Sequence, residues 1–236
     1  MKIIASNFKT NHTRKSTKQF VESVNSYLNK EKIKNDVFIF PTATSLDSFE
    51  TISNLSVGTQ NAYPTKNGSF TGEIGTEQLD EFGIKTILIG HSERRHVLGE
   101  SQQSCVDKFN FYKELGYTII YCIGEKLETK EQGVEKTLEY CFDQLEGIDI
   151  DYEKLIIAYE PVWAIGTGVV ATVEDITTIH NLLKEKISAP ILYGGSVKPS
   201  NLDEILKIEN VDGSLIGTSS WDFESFKQMI EITKNN

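Results

Sequence analysis

Positive charge is in short supply in this chain. Twenty-four lysines and arginines face 34 aspartates and glutamates, leaving a net charge of −10 over 236 residues. Nucleic acids and anionic membranes are held by basic patches, so the deficit argues against both as partners. Cysteine is scarcer: Cys105, Cys122 and Cys141 are widely spaced, with no Cys-x-x-Cys. That odd, scattered set excludes a disulfide framework and reads as free thiols in a reducing compartment. No apolar run approaches the roughly 20 residues needed to span a bilayer. The opening segment Met1–Asn7 turns polar too soon for a secretory signal, so the expected location is the cytoplasm. There, Asn11-His12-Thr13, Asn54-Leu55-Ser56 and Asn67-Gly68-Ser69 are chance matches to a glycosylation pattern.

Several chemical signatures are missing as well. His91-Ser92-Glu93 has the H-x-E spacing of zinc deaminases, but no Pro-Cys-x-x-Cys follows it. The four histidines show no HExxH spacing, so no metal is expected. Gly-x-Ser-x-Gly is absent, which removes the usual sign of a nucleophilic serine. No GxGxxG follows the first apolar run, where a dinucleotide-binding sheet would carry it.

What is present is ordinary globular composition: 39% hydrophobic and 25% charged residues, enough to bury a sizeable core without covalent staples. Short β-branched runs recur at Ile3–Phe8, Val37–Phe40, Leu55–Gln60, Thr86–His91, Tyr117–Cys122, Leu155–Glu160, Pro190–Gly194 and Val211–Gly217. Their hydrophobicity is continuous rather than alternating, as in strands buried on both faces of a parallel sheet. Amphipathic stretches separate them. Phe20, Val24 and Leu28 predict a helix over Arg14–Asn29, and Cys105, Val106, Phe109 and Tyr112 predict another over Ser101–Leu115, with Gly116 as its C-terminal cap. Thr172-Val173-Glu174-Asp175 resembles a capping box ahead of Ile176, Ile179, Leu183 and Ile187.

Eight runs, each followed by a helix or helical turn and with no linker between them, predict one α/β domain over residues 1–236. Its arrangement is an eight-stranded (β/α)8 barrel, with a doubly wound open sheet as the competitor. The long polar connection Asn61–Gly75 carries Phe70 in its middle, either buried in another subunit or folded back on its own domain.

The informative residues sit where the runs stop: Asn7 and Lys9, His91, Glu160, Gly194-Gly195-Ser196, and Gly217-Thr218. In a barrel these ends share one face. Glycine turns offer backbone N–H groups to an anion at close range, so a phosphate suits an acidic protein that lacks a basic surface. Lys9 leaves Schiff-base chemistry open as an alternative.

Six segments carry a family resemblance: Asn7-Phe8-Lys9, Phe70-Thr71-Gly72-Glu73, Gly90-His91-Ser92-Glu93-Arg94-Arg95, Cys122-Ile123-Gly124-Glu125, Ala158–Gly168 and Tyr193-Gly194-Gly195-Ser196-Val197. In this order, along essentially the whole chain, they resemble the triosephosphate isomerases. The resemblance implies a cofactor-free barrel, usually a homodimer, that interconverts dihydroxyacetone phosphate and glyceraldehyde 3-phosphate. It implies Glu160 as the general base, His91 as a neutral hydrogen-bond donor to the carbonyl oxygen, and Lys9 as the cation facing enediolate and phosphate, with Asn7 beside it. Gly166, Ser196, Gly217 and Thr218 would be the phosphate contacts, Pro161–Ala171 a closing lid, and Tyr193 and Ser196 its latch. Thr71 would reach the partner's site, while Glu93 and Arg94 support the site and interface. Another sugar-phosphate barrel enzyme, such as a Schiff-base aldolase, and a non-catalytic phosphate-binding dimer remain as alternatives. Three departures stand out: Val169-Val170-Ala171 replaces a frequent Lys-Thr-Ala, Thr218 a frequent glycine, and Phe8 a frequent tryptophan.

Overall fold

The continuous apolar runs are parallel strands: β1 (Ile3–Asn7), β2 (Val37–Phe40), β3 (Leu55–Val57), β4 (Thr86–Ile89), β5 (Thr118–Ile123), β6 (Leu155–Tyr159), β7 (Ile191–Tyr193) and β8 (Gly213–Ile216). The computed structural model describes residues 1–165 and 169–236. Each strand pairs with its neighbour in the order β3-β2-β1-β8-β7-β6-β5-β4. The remaining seam, between β3 and β4, is joined by a parallel bridge from Thr59 to Ile87. There Thr59 N–H donates to the Thr86 carbonyl at 2.9 Å, and Leu88 N–H to the Thr59 carbonyl at 3.0 Å. The sheet is therefore a barrel, not the open alternative.

The two-residue period of a strand sorts each run between two cores. Ile3, Ala5, Phe38, Phe40, Leu88, Ile120, Cys122, Ile156, Ala158, Leu192 and Leu215 fill the barrel interior. The intervening residues, among them Ile4, Ile39, Ile87, Ile119, Tyr121, Ile157, Ile191 and Ile216, pack outward against the helices. That is why the runs read as unbroken: both faces are dry. The observed strands stop one to three residues short of several apolar runs, because the last residues leave the ladder to form the rim.

The helices are α1 (Arg14–Glu31), α2 (Thr76–Glu81), α3 (Ser92–His96), α4 (Gln102–Glu114), α5 (Leu127–Lys130), α6 (Val134–Asp143), α7 (Val173–Lys184), α8 (Pro199–Leu206) and α9 (Phe223–Lys234). Local chemistry sets their ends as expected. Thr172 Oγ1 accepts from Asp175 N–H at 3.1 Å, and Asp175 Oδ2 accepts from Thr172 N–H at 3.0 Å, a reciprocal capping box. After α4, Gly116 N–H bonds the Lys113 carbonyl and Tyr117 N–H the Tyr112 carbonyl, the paired bonds of a Schellman turn. One connection differs from its neighbours. Between β2 and β3 the described chain forms only a 3-10 turn at Ala43–Ser45 and an extended segment. Leu46, Phe49 and Ile52 cover the barrel there, and the Asn25 side chain pins the segment through Ile52 N–H and the Glu50 carbonyl. Among the described residues, no helix is long and apolar enough to cross a membrane.

One buried polar residue makes the packing sensitive to acid. His180 of α7 is fully buried, with Nδ1 at 3.0 Å from the Asn210 carbonyl. A carbonyl only accepts, so Nδ1 holds the proton, and Nε2 is buried without a partner among the described residues. Burial drives its pKa down to about 4; the Asn210 carbonyl and Asp212 oppose this, while Lys184 and Lys2 assist it. Because the folded value lies below the unfolded value of 6.5, stability is complete above pH 6.5 and is lost as pH falls toward 4. We expect this residue to contribute on the order of 3 kcal/mol to the acid-side loss. Urea unfolding at pH 7 and pH 5 should show a shallower pH slope in His180→Gln than in the parent. Equal slopes would exclude His180 as the source.

Candidate active site

All eight strands run the same way, so their carboxyl ends form one rim. The strand period carries the inward series past the ladder. After Ile3 and Ala5 comes Asn7, after Ile156 and Ala158 comes Glu160, and after Leu215 comes Gly217. Polar groups thus enter the barrel mouth directly above an apolar interior. Asn7, Lys9, His91, Glu160, Ser196, Gly217 and Thr218 line one cavity of about 310 Å³ there, together with Gly194, Gly195 and the apolar Ile165 and Val170.

Glu160 is 2% exposed and uses both carboxylate oxygens. Oε2 accepts from Ser92 N–H at 2.9 Å, and Oε1 lies 3.1 Å from His91 Nε2. His91 itself caps α3, its Nδ1 accepting from Glu93 N–H at 3.2 Å. An accepting Nδ1 needs its lone pair, so the ring proton belongs on Nε2, facing Glu160. The imidazole is therefore neutral and presents a donor to the cavity. Beneath Glu160, burial and then the Glu160 charge push the Cys122 thiol well above its usual range, which keeps it uncharged beside the carboxylate.

Lys9 is held in the left-handed backbone region, with φ of 51°. This conformation is uncommon for a lysine and requires support. Asn7 Oδ1 accepts from Lys9 N–H at 2.9 Å, and Gln60 Nε2 donates to the Lys9 carbonyl at 2.9 Å. The ammonium pairs with Glu93 at 2.6 Å. Arg94 turns away from the cavity to Glu100, which also pairs with Lys108. Burial would raise the Glu100 pKa, but the Lys108 hydrogen bond and charge, with Arg94, hold it below the usual range.

Several supporting residues were not apparent from the sequence. Arg95 bonds the Gly90 carbonyl, Gln102 and the Tyr121 hydroxyl, fixing the turn that presents His91. Trp221 Nε1 donates to the Asn7 carbonyl at 2.9 Å. Ser220 Oγ, 2.7 Å from Ser6 Oγ, also donates to the Gly217 carbonyl and anchors the turn after β8. Glu125 is buried and accepts from Trp163 Nε1 at 2.7 Å and the Tyr159 hydroxyl at 3.1 Å, and burial raises its pKa. Arg95 and Glu125 stand within segments quoted above, but their partners do not show there; the contacts of Trp221 with Asn7 and of Ser220 with Ser6 join remote positions that no local pattern marks. One was visible: Gly124 in the Cys122-Ile123-Gly124-Glu125 segment. Its φ is +157°, and a Cβ there would lie 1.8 Å from the Glu160 carbonyl oxygen.

Other expected positions fall differently. Gly166 lies outside the described residues, as do Thr167 and Gly168 in the middle of the expected lid. Ser196 Oγ donates to the Ala164 carbonyl at 2.5 Å, whereas the buried Tyr193 hydroxyl has no hydrogen-bond partner among the described residues. Thr71 is exposed in the 61–75 connection and does not line the cavity of its own chain. Phe70 rests on Tyr63, ring centroids 4.2 Å apart, yet stays 41% exposed. A second cavity of about 700 Å³ lies on the far side of Lys9 and His91, bordered by Glu93, Arg94, Gly72, Glu73 and the exposed Val97 and Leu98. Among the described residues, no group of three or more His, Cys, Asp or Glu is placed to hold a metal ion.

A carboxylate against a neutral imidazole, with an ammonium and glycine turns around one small cavity, defines a (β/α)8-barrel enzyme built for proton transfer. The sequence profile of the triosephosphate isomerases matches residues 2–233. The chain is 56% identical over 229 residues to triosephosphate isomerase of Wolinella succinogenes, covering 97% of this chain and 99% of that protein. It is 58% identical over 233 residues to that of Sulfurimonas denitrificans, covering 99% and 96%. The chain belongs to the triosephosphate isomerase family.

The placement of Glu160 depends on Gly124. We expect Gly124→Ala to displace the Glu160 backbone and lower kcat about 10²-fold, since misplacement by ~1 Å can cost that much. Steady-state kinetics alongside far-ultraviolet circular dichroism would check it; a folded variant with parental kcat would refute the dependence.

Proposed function

We propose that this protein interconverts dihydroxyacetone phosphate and D-glyceraldehyde 3-phosphate by proton transfer through an enediolate, with Glu160 as base, His91 as donor to the substrate oxygen and Lys9 as the facing cation. The observation that carries the reading is the 3.1 Å contact between His91 Nε2 and Glu160 in a cavity shared with Lys9. A hydrogen beside a carbonyl is weakly acidic unless the developing oxyanion is stabilised. One preorganised donor contributes about 3–4 kcal/mol. The neutral imidazole is the recognised arrangement of this family, and the accepting Nδ1 of His91 fits it. For Glu160 to reach a carbon-bound proton within about 3 Å, it must exchange the Ser92 amide for substrate. The base is thus parked in a hydrogen-bonded position between turnovers.

The phosphate would sit against Ser196, Gly217 and Thr218, and Gly166 would add a further contact. Ile165 and Val170 border the same cavity and would shed water from it when the lid closes. The Tyr193 hydroxyl, without a hydrogen-bond partner among the described residues, is suited to bonding the closed lid. A Schiff-base aldolase is not favoured, because the Lys9 side chain is engaged by Glu93 at 2.6 Å. The intact base and donor also disfavour a non-catalytic binder.

We read residues 1–236 as one domain working as a homodimer in the cytoplasm. Val97 and Leu98 expose apolar surface at the second cavity, where a partner's Thr71 would enter, and Phe70 is exposed in the 61–75 connection. The three cysteines are all buried and unpaired, as a reducing compartment allows.

A coupled assay of glyceraldehyde 3-phosphate consumption tests the activity. Glu160→Asp, which retracts the carboxylate by a methylene, should lower kcat by about 10²-fold or more. Near-parental turnover in that variant would remove Glu160 from the role of base. Sedimentation should give a dimer at nanomolar concentration; an active monomer would defeat the dimer reading.

A further inference from the structure

The charges of the cavity do not balance through Lys9 alone. Its charged lining groups are Lys9, Glu160 and Lys198. Lys9 is already engaged by Glu93 at 2.6 Å. Among the described residues, the Lys198 ammonium has no carboxylate within ion-pair distance and no hydrogen bond. Without Lys198, the ammonium of Lys9 and the carboxylate of Glu160 cancel, and a dianion would enter a neutral pocket in a protein of net charge −10.

The backbone around Lys198 is held while its side chain is free. Lys198 N–H donates to Asn201 Oδ1 at 2.8 Å, and Asn201 Nδ2 donates to the Ser196 carbonyl at 3.1 Å. Between them Val197 is buried at 4% exposure, so the extended residue that follows projects outward. The result is an exposed lysine on a held backbone, bordering the cavity next to the turn expected to hold phosphate. Cations so placed raise the local concentration of an anionic ligand and its association rate, and salt screens the effect.

We propose that Lys198 is a second substrate-binding cation of this site, attracting and holding the phosphate group at the cavity mouth. This rests on reading the cavity as a triose-phosphate site. The full-length enzyme, Lys198→Met, Lys198→Arg and Lys198→Glu would be compared for kcat/KM on glyceraldehyde 3-phosphate and on unphosphorylated D-glyceraldehyde, over a range of ionic strength. Inorganic phosphate binding would be measured by calorimetry.

At low ionic strength Lys198→Met should lower kcat/KM for the phosphorylated substrate about three- to tenfold and weaken phosphate binding comparably. Arginine should restore both and glutamate depress both further, with the differences shrinking as salt rises. The preference for phosphorylated over unphosphorylated substrate should fall by the same factor. A merely structural role would lower both substrates together, independently of salt and charge. That result, or parental kcat/KM and phosphate affinity in Lys198→Met, would overturn the proposal. If the parent enzyme fails to isomerise the triose phosphate, the functional reading fails instead, while phosphate affinity still decides the role of Lys198.

Discussion

The contact between His91 Nε2 and Glu160 is the interaction on which the rest of the site depends. It joins the ends of β4 and β6 across the barrel mouth, and it exists only because His91 Nδ1 is occupied by Glu93 N–H. Were Nδ1 to carry the proton, Nε2 would present a lone pair to a carboxylate, and the two groups would repel. The start of α3 thus selects the tautomer, and the tautomer selects the partner. In the proposed reaction the same Nε2–H that now faces Glu160 would face the substrate oxygen, so the contact seen here reserves the donor for its later use.

Around that pair, the barrel supplies rigidity through backbone fastenings more than through side-chain salt bridges. Arg95 fastens the turn before His91, Gly124 lets β5 come against the Glu160 carbonyl, and Asn7 with Gln60 holds Lys9 in its unfavourable backbone region. Gln144 serves the same end from α6's C-terminal edge by bonding Gly124 N–H at 2.7 Å. The bonds from Gln60 to Lys9 and from Gly124 to Gln144 span segments distant in sequence, which is how a barrel ties separate loops into one surface. The exposed ion pairs elsewhere, such as Lys207 with Asp203, contribute little to stability by comparison.

Much of this was legible in the residues. The eight runs were readable because strands dry on both faces leave an unbroken apolar signature, and the caps at Thr172 and Gly116 were readable because they depend on neighbours three or four residues away. Glu160, His91 and Lys9 stood out as polar groups where apolar runs end. The absence of an α-helix between β2 and β3 was harder to foresee, since what holds that segment is Asn25, on another element. Gln60, Trp221 and the contact of Ser220 with Ser6 were silent for the same reason: a hydrogen bond between remote positions leaves no local pattern. The second role of Glu93, as the partner of Lys9, required the distance between two loops.

By itself, then, the amino-acid order determined which stretches are strands and helices and that Asn7, Glu160 and Gly217 stand where apolar runs end, while which residues of each run face inward was settled by the closed barrel. Those are short-range matters, governed by backbone geometry and the cost of exposing apolar surface. Closure of the sheet through Thr59 and Ile87, the tautomer of His91, the pairing of Lys9 with Glu93 and the freedom of Lys198 were decided only in three dimensions. Each depends on which atoms of separated segments come within hydrogen-bonding or charge-pairing reach, and that distance is a property of the closed barrel, not of any one segment.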